Sequence, residues 1–299
     1  IESRGGSRDS RISMMEDSPV KRKSAPVVLY KYRDWNSDYH RRVITHNEIY
    51  FASPQTLNDP FDIAIKPTFR MFTPEALTRI AEASYARRNL SADEKTWRRA
   101  NRRCVDIRDD EAMQGAYIQW FGDFRDNCFG VCSLTSNPLK RTMWAHYAQG
   151  HTGFAVGFRT STLQALEDAP SNARTGIRLR EVVYYDECPE IAWEQMLEDH
   201  AEFNRYFLIK HSELAYEEEW RLLMLPVDEA TATRPLSREE RIVYLPEGAI
   251  TNVVFGLRTG VEAKKEICRH LLSRVPRPEL YQVVRGEGWQ LQMEPINYD

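Results

Sequence analysis

The stretch VCSLTSNPLKRTMWAHYAQGHTGFAVGF, residues 131–158, contains the pattern that decides the fold. Residues 128–134 and 153–158 are short apolar runs, which are typical of buried strands. The intervening residues 138–148 fit a helix, in which Trp144 and Tyr147 share one face and one of the two aromatic rings belongs to the core. The stretch therefore predicts a strand, a helix and a second strand in that order.

Short strands are also predicted on both sides of this unit. Upstream, β-forming residues occupy 27–32 and 49–52. Downstream, we predict helices over 189–209 and 261–272, and strands over 182–185, 219–225, 242–245, 252–255, 280–284 and 290–293. Many short strands separated by irregular loops favour an α+β fold with mixed, largely antiparallel sheets.

A helical insert is predicted over about residues 73–126. Thr73 suits a helix N-cap and Pro74 suits the first helical position. A second helical stretch follows over 92–125 and is rich in arginine. Residues 1–25 are rich in Ser, Arg and Gly and predict a disordered tail or leader, which leaves 26–299 as a single domain.

Composition limits the class of protein. The chain has 299 residues, of which 42% are hydrophobic, and this is enough for a substantial core. No apolar run approaches the roughly 18 residues of a membrane span, and the N-terminus lacks a secretory pattern. We therefore expect a soluble, cytoplasmic, bacterial protein. A net charge of −3 gives no general attraction to nucleic acid, so any basic surface must be local.

The cysteines do not predict a metal site or a disulfide scaffold. They are odd in number and irregularly spaced, which favours reduced thiols in a core: Cys104, Cys128, Cys132, Cys188 and Cys268. His146 and His151 lack acidic or thiol partners at ligand spacing. We therefore expect no metal.

Two polar clusters accompany the first strands. In residues 29–33, alternation places Tyr30 and Tyr32 on one face of the strand and Lys31 and Arg33 on the other. Arg33 is either an edge-strand charge or a guanidinium that binds phosphate.

The second cluster lies in the turn-forming residues 57–62, where Asn58 and Asp62 are either simple turn formers or parts of a binding loop.

Two further clusters follow. One combines Ser133 and Thr135 with Trp144, His146 and Tyr147, although a lone histidine is more often structural.

The other cluster is residues 216–221, where Glu217 and Glu219 project to the same side if the chain is extended. Paired carboxylates there could stabilise a cationic transition state, whereas a solvated acidic run is the alternative. We expect all four clusters to meet in one cleft.

The clusters resemble a known family. LYKYR at 29–33, IYFASPQTLNDPFD at 49–62, the 131–158 stretch and YEEEWRL at 216–222 occur in the order seen in the bacterial domain of unknown function 2971 family. The resemblance covers roughly residues 27–285. The family name conveys no activity.

A weaker resemblance, to ADP-ribosyltransferases, supplies a reaction and an expected ADP-ribosyltransferase-like fold. That family has a basic residue on a first strand, a Ser-Thr-Ser segment on a middle strand and a Glu-x-Glu before a later one. The matching residues here are Arg33, Ser133 with Thr135, and Glu217 with Glu219; the middle segment has one extra residue. The resemblance implies that Glu219 is the catalytic carboxylate, with Glu217 as its partner. It also implies that Arg33, Ser133 and Thr135 bind NAD. The polar clusters add the other residues of the expected NAD site, which are Tyr30, Asn58, Asp62, Trp144, His146 and Tyr147.

Three functions stay open. The first is an NAD-consuming ADP-ribosyltransferase or glycohydrolase, a bacterial effector in a toxin or phage-defence setting. The second is a nucleic-acid-binding or nuclease-like module whose RNA or DNA contacts come from Arg87, Arg88, Arg98, Arg99, Arg102 and Arg103. Interspersed acidic residues favour a salt-bridged helix for that stretch. The third is a ligand-sensing protein without catalysis.

Overall fold

The fold is that of a computed structural model. It describes residues 24–70, 73, 75, 76, 78, 79, 82, 91–101, 110–168, 174–227 and 234–298. No helix within these ranges is long and apolar enough to cross a bilayer. The protein has a mixed α+β structure built around one large, mostly antiparallel sheet.

The described residues form twelve strands. These are β1 (Val28–Arg33), β2 (Glu48–Tyr50), β3 (Gly130–Thr135), β4 (Phe154–Arg159), β5 (Thr175–Glu181), β6 (Val183–Tyr185), β7 (Ile209–His211), β8 (Glu219–Pro226), β9 (Ile242–Tyr244), β10 (Ile250–Phe255), β11 (Glu279–Arg285) and β12 (Leu291–Ile296). Eight of them form the main sheet in the order β12-β11-β10-β4-β1-β3-β8-β5, in which only β10 and β11 are parallel. The pairs β2-β9 and β6-β7 form two small sheets.

The helices cover both faces of the sheet. They are α1 (Asp38–Thr45), α2 (Ala92–Asn101), α3 (Glu111–Cys128), α4 (Arg141–Tyr147), α5 (Thr160–Ala165), α6 (Trp193–Glu198), α7 (His200–Tyr206) and α8 (Val261–Leu271), with 3₁₀ turns at Pro54–Thr56 and Ser212–Glu217.

Side chains alternate between the two faces of the sheet, and the core clusters identify the faces. Leu29 packs with α1 and β2 on one face, which we call the α1 face. Tyr30 and Tyr32 pack with α4 on the opposite face, which we call the α4 face. Lys31 and Arg33 therefore belong to the α1 face.

The main sheet is split between β1 and β3. β1 pairs with β4 at six positions, and β3 pairs with β8 at six, but β1 and β3 share the single pair Tyr30↔Thr135. Beyond that pair the two strands diverge toward Arg33 and Gly130.

The predicted α+β class and largely antiparallel pairing are confirmed, and the strand-helix-strand unit is present. One strand boundary was wrong, because Cys128 ends α3 and β3 begins only at Gly130. A short apolar run does not distinguish the buried end of a helix from a strand. The β5 strand was not predicted at all.

The long helix predicted over 189–209 was also wrong. Asp199 has an extended backbone, and its carboxylate accepts the Ala201 N–H at 2.8 Å, so α6 ends and α7 begins there. An aspartate that caps a helix competes with continuation of the preceding one.

The predicted helical insert lies only partly within the described ranges. The Ala76 N–H donates to Thr73 Oγ1 at 3.2 Å, which agrees with the expected cap. The arginine-rich stretch includes α2, which contains Arg98 and Arg99. Arg87, Arg88, Arg102 and Arg103 lie outside the described residues, as do residues 1–23 of the predicted tail.

Candidate functional site

A cleft of about 550 Å³ occupies the split between β1 and β3. This volume is in the range of pockets that bind small molecules. Its lining includes Lys31 and Arg33, which belong to the α1 face, and Glu219, which pairs with Thr135 on the α4 face. The cleft therefore passes through the sheet and has two chemically different ends.

One wall is cationic. Lys31 and Arg33 are partly buried neighbours on the same strand face, and neither forms an ion pair with a described residue. Lys31 Nζ instead donates to the Ser133 carbonyl oxygen at 2.6 Å, which bridges the split. Unpaired buried cations are costly, so an arrangement of this kind favours an anionic ligand.

The pKa values report the positive field of this wall. Burial, together with the charge of Arg33, lowers the pKa of Lys31 to about 8, although Cys132 and Glu219 oppose the shift. Burial also lowers the pKa of His40 to about 4, with contributions from Arg33 and Lys31. His40 is therefore neutral at physiological pH, and the wall's charge comes from Lys31 and Arg33.

The floor of the cleft is a buried ion network. Lys210 Nζ donates to the carboxylates of Glu217 at 2.5 Å and Glu219 at 2.8 Å, and it lies 3.5 Å from Asp62. Arg221 donates from Nε to Glu219 Oε1 at 2.8 Å and from one terminal nitrogen to both oxygens of Asp62 at 2.6 and 2.8 Å. All five side chains are at least nine-tenths buried.

Three carboxylates face two cations in this network, and burial raises the pKa of one of the carboxyls, Asp62, although Arg221 opposes the shift. Burial opposes ionisation of Glu219, but Arg221 and Lys210 outweigh it and lower the pKa of this carboxyl to about 2. The same carboxylates raise the pKa of Lys210 despite its burial. Glu219 is therefore ionised at neutral pH, and Lys210 and Arg221 hold its carboxylate in place.

Glu217 connects the network to the mouth of the cleft. Its Oε1 accepts the Tyr147 hydroxyl at 2.7 Å, and Asn58 Nδ2 donates to that hydroxyl oxygen at 3.0 Å. Burial raises the pKa of Tyr147, and Glu217 raises it further. The phenol therefore stays protonated and holds the loop at Asn58 beside the carboxylate.

Glu217 and Glu219 converge for a reason that the sequence did not predict. The chain is not extended there: Glu217 ends a 3₁₀ turn, and Glu218 adopts left-handed angles with φ 46°. Glu218 consequently points outward, where it binds Lys140 at 2.9 Å and Ser136 at 2.8 Å. The kink brings both neighbouring carboxylates to Lys210.

Most of the residues proposed from the sequence line this cleft: Tyr30, Arg33, Asn58, Asp62, Ser133, Thr135, Tyr147, Glu217 and Glu219. Two do not. Trp144 is fully buried, packs edge-on against Tyr32 and donates to the Pro138 carbonyl oxygen at 2.8 Å. His146 is exposed on the outer side of α4. Helical spacing alone could not show which side of α4 faces the cleft.

Several lining residues escaped the sequence prediction, including Lys210 and the outer residues Tyr39, Tyr50 and Arg238. Lys210 and the network member Arg221 each interrupt an apolar run, FLIKH and WRLLML. A charge within a buried strand requires a partner, so these two positions did carry a usable signal. The outer residues carried none.

The site thus pairs a cationic wall with a floor that contains buried carboxylates, which suits a ligand that carries both phosphate and a centre of developing positive charge. Within the described ranges, no group of three or more His, Cys, Asp or Glu residues could hold a metal ion.

Comparison with known proteins gives one match. No curated protein and no solved structure matches the chain. Residues 143–222 match the model of a family described as Protein of unknown function (DUF2971). The matched segment contains Tyr147, Lys210, Glu217, Glu219 and Arg221, so it includes the floor of the cleft except for Asp62. The resemblance to the domain of unknown function 2971 family is confirmed over this segment.

Proposed function

We propose that the protein cleaves the bond between nicotinamide and ribose in NAD and passes ADP-ribose to water or to another acceptor. One observation carries the proposal: the unpaired cations Lys31 and Arg33 line the same cleft as the carboxylates Glu217 and Glu219. The cations suit a pyrophosphate, and the carboxylates suit the ribose.

The reaction that this geometry supports is a substitution at the ribose C1′ atom. The C1′–N bond breaks, and its electron pair stays on the leaving nicotinamide, which becomes neutral. Positive charge develops on the ribose, and a fixed carboxylate beside it lowers the barrier. Water or an acceptor then adds to C1′ and loses a proton.

The ion pairs assign different roles to the two glutamates. Both Glu219 oxygens face cations, Lys210 and Arg221, whereas Glu217 has one ion pair and a neutral phenol donor. The charge of Glu217 is less fully compensated by cations than that of Glu219, so we assign Glu217 the contact with the ribose. Glu219 holds Lys210 and Arg221 in place, which reverses the order expected from the sequence.

Nicotinamide release from NAD tests the proposal. Glu217→Gln keeps the shape of the side chain but removes the charge, and we expect the rate to fall by about a hundredfold or more. Chromatographic detection of nicotinamide, with and without cell extract as a source of acceptors, provides the measurement. Glu218→Gln is the matched control, because Glu218 points away from the cleft toward Lys140.

Calorimetry of NAD binding separates loss of chemistry from loss of binding. Glu217→Gln should still bind NAD and keep a melting temperature close to that of the wild type. If wild-type protein binds no NAD and releases no nicotinamide under either condition, the proposal is wrong. An equal loss of activity in Glu218→Gln would contradict the assignment of Glu217 as the carboxylate that contacts the ribose.

A second candidate is a nucleotide sensor without catalysis. The observation that favours it is the complete pairing of Glu219, whose two oxygens already accept from Lys210 and Arg221. A carboxylate whose two oxygens are both paired with cations stabilises the site but takes no part in a reaction. In that case NAD and ADP-ribose bind with similar affinity, and no nicotinamide is released during prolonged incubation with wild-type protein.

A further inference from the structure

Aromatic and guanidinium groups form the end of the cleft on the α1 face. Tyr39 of α1 and Tyr50 of β2 meet edge to face, with ring centroids 5.2 Å apart. The Arg238 guanidinium lies over the Tyr39 ring, 5.1 Å from its centroid. All three side chains line the same cleft as Lys31 and Glu217. Tyr39 remains 43% exposed, so its ring is accessible to a ligand.

The lining groups follow one another in a fixed order along the cleft. Tyr39 lies on α1 and Tyr50 lies on β2, the two elements that pack on the α1 face of the sheet, and Lys31 and Arg33 belong to the same face. Lys31 donates across the split to the Ser133 carbonyl oxygen at 2.6 Å, whereas Glu219 belongs to the opposite face, where Lys210 links it to Glu217. The order is therefore aromatic rings, then cations, then carboxylates.

We infer that Tyr39, Tyr50 and Arg238 form a stacking subsite for a nucleobase, which makes the ligand a dinucleotide with adenine at this end. The inference rests on the proposed function, in which the ribose bonded to nicotinamide lies at Glu217. In NAD, a pyrophosphate separates adenosine from that second ribose. The order base, pyrophosphate, ribose matches the order of aromatic, cationic and acidic groups in the cleft.

Stacking is the physical basis of the subsite. Every base has a π face, which packs on tyrosine rings and on the plane of an arginine guanidinium. A base can stack on the outer face of the Arg238 guanidinium or displace that group from above Tyr39. In both cases the Tyr39 ring is part of the stack. Leucine at position 39 keeps apolar bulk but removes the π surface.

Calorimetry with two probes tests the subsite. ADP carries the base, whereas inorganic pyrophosphate carries only the anionic part. We expect ADP to bind more tightly than pyrophosphate, and Tyr39→Leu to weaken ADP binding on the order of tenfold. Pyrophosphate affinity should not change in this variant. Tyr39→Phe, which keeps the ring, should bind ADP as the wild type does.

Tyr244→Leu is the matched control. Tyr244 is 67% exposed on β9 and is not among the residues that line the cleft. This substitution should leave ADP affinity unchanged, and melting temperatures of all variants report whether each one folds. Arg238→Gln provides a second variant that should weaken ADP but not pyrophosphate.

The outcomes distinguish this inference from the proposed function. Equal affinities for ADP and pyrophosphate in the wild type, or equal loss of both in Tyr39→Leu, would overturn the stacking subsite. Nicotinamide release with an unchanged KM for NAD in Tyr39→Leu would also overturn it while leaving the reaction intact. ADP binding that depends on Tyr39, without any nicotinamide release, would support the subsite and reject the reaction.

Discussion

The charge on Lys31 depends on the wall of the cleft that surrounds it. Burial and the neighbouring Arg33 lower its pKa to about 8, although Glu219 and Cys132 oppose the shift. At pH values below this pKa the amine is charged and favours an anion, and above it the amine is neutral. Lys31 therefore gives the cleft a pH dependence that Arg33 alone would not produce.

This dependence gives a prediction for ADP-ribose, whose pyrophosphate keeps its charge through neutral and mildly alkaline pH. Its affinity should fall as the pH rises through about 8, by as much as tenfold per pH unit. Lys31→Arg keeps its charge and should remove most of this dependence. Titration calorimetry at a series of pH values provides the measurement. An unchanged profile in Lys31→Arg would exclude Lys31 as the titrating group.

Individual site residues were predictable where local pattern and structure agree. Tyr30 and Arg33 lie on opposite faces of β1, as strand alternation predicts. The convergence of Glu217 and Glu219 was expected from alternation, but it results from the left-handed kink at Glu218. Trp144 and His146 were misplaced because orientation of a helix about its axis depends on contacts with distant strands.

At the scale of the element, β1 and the loop before β4 are in very close contact. A Cβ atom added to Gly153 would lie 2.1 Å from the Arg33 carbonyl oxygen and 3.1 Å from the Ala148 backbone. Only glycine allows this approach, because neither neighbour is the flexible end of a side chain. Gly153 thereby sets the position of the end of β1 and of Arg33 in the cleft.

Gly153→Ala should therefore destabilise the protein by about 1–3 kcal/mol and weaken ADP-ribose binding through displacement of Arg33. Gly122→Ala is the control, since nothing lies within 4 Å of a Cβ atom at that position in α3. Alanine there should be neutral or stabilising by up to about 1 kcal/mol. Urea unfolding measures both changes. Equal stability of the two variants would contradict the close contact at Gly153.

Helices and strands were predictable where the pattern of apolar residues was long and regular or where an apolar run was nearly uninterrupted. The α8 helix and the β8, β10 and β11 strands lie where the sequence predicts them, within a few residues. The split between β1 and β3 was not predictable, because strand pairing depends on partners about a hundred residues apart. The location of the cleft follows from that split.

At the scale of the whole molecule, Arg221 joins three separate parts of the chain. It binds Asp62 in the loop after β2, Glu219 on its own strand and the Phe207 carbonyl oxygen after α7. The side chain is 0% exposed. Burial of such a group is tolerated only because every partner is present.

Arg221→Met should destabilise the fold by about 3–5 kcal/mol, since it leaves Asp62 and Glu219 buried with Lys210 as their remaining cation. Lys140→Met is the control: Lys140 pairs with Glu218, and side chains on both sides of that pair are more than a third exposed. That change should cost less than about 1 kcal/mol. Denaturant midpoints of the two variants compare the effects, and similar losses would argue against the structural role of Arg221.

The split sheet also determines how a ligand should affect overall stability. One side of the cleft belongs to the β12-β11-β10-β4-β1 part of the sheet, and the other belongs to the β3-β8-β5 part. The two parts are joined by the residue pair Tyr30↔Thr135 and by the hydrogen bond from Lys31 to the Ser133 carbonyl oxygen. A ligand bound to cations of β1 and to carboxylates near β8 would add a further connection between the two parts.

ADP-ribose at about a hundred times its Kd should therefore stabilise the protein by about 2.7 kcal/mol. Mass action alone gives this value. The informative measurement is therefore which segments of the chain become protected from hydrogen exchange. Hydrogen exchange should slow in both β1 and β3, because the ligand restrains both edges of the split. In Glu218→Gln, whose altered side chain lies outside the cleft, the pattern should be the same as in wild type. Protection confined to one edge would mean that the ligand binds one wall and does not cross the sheet.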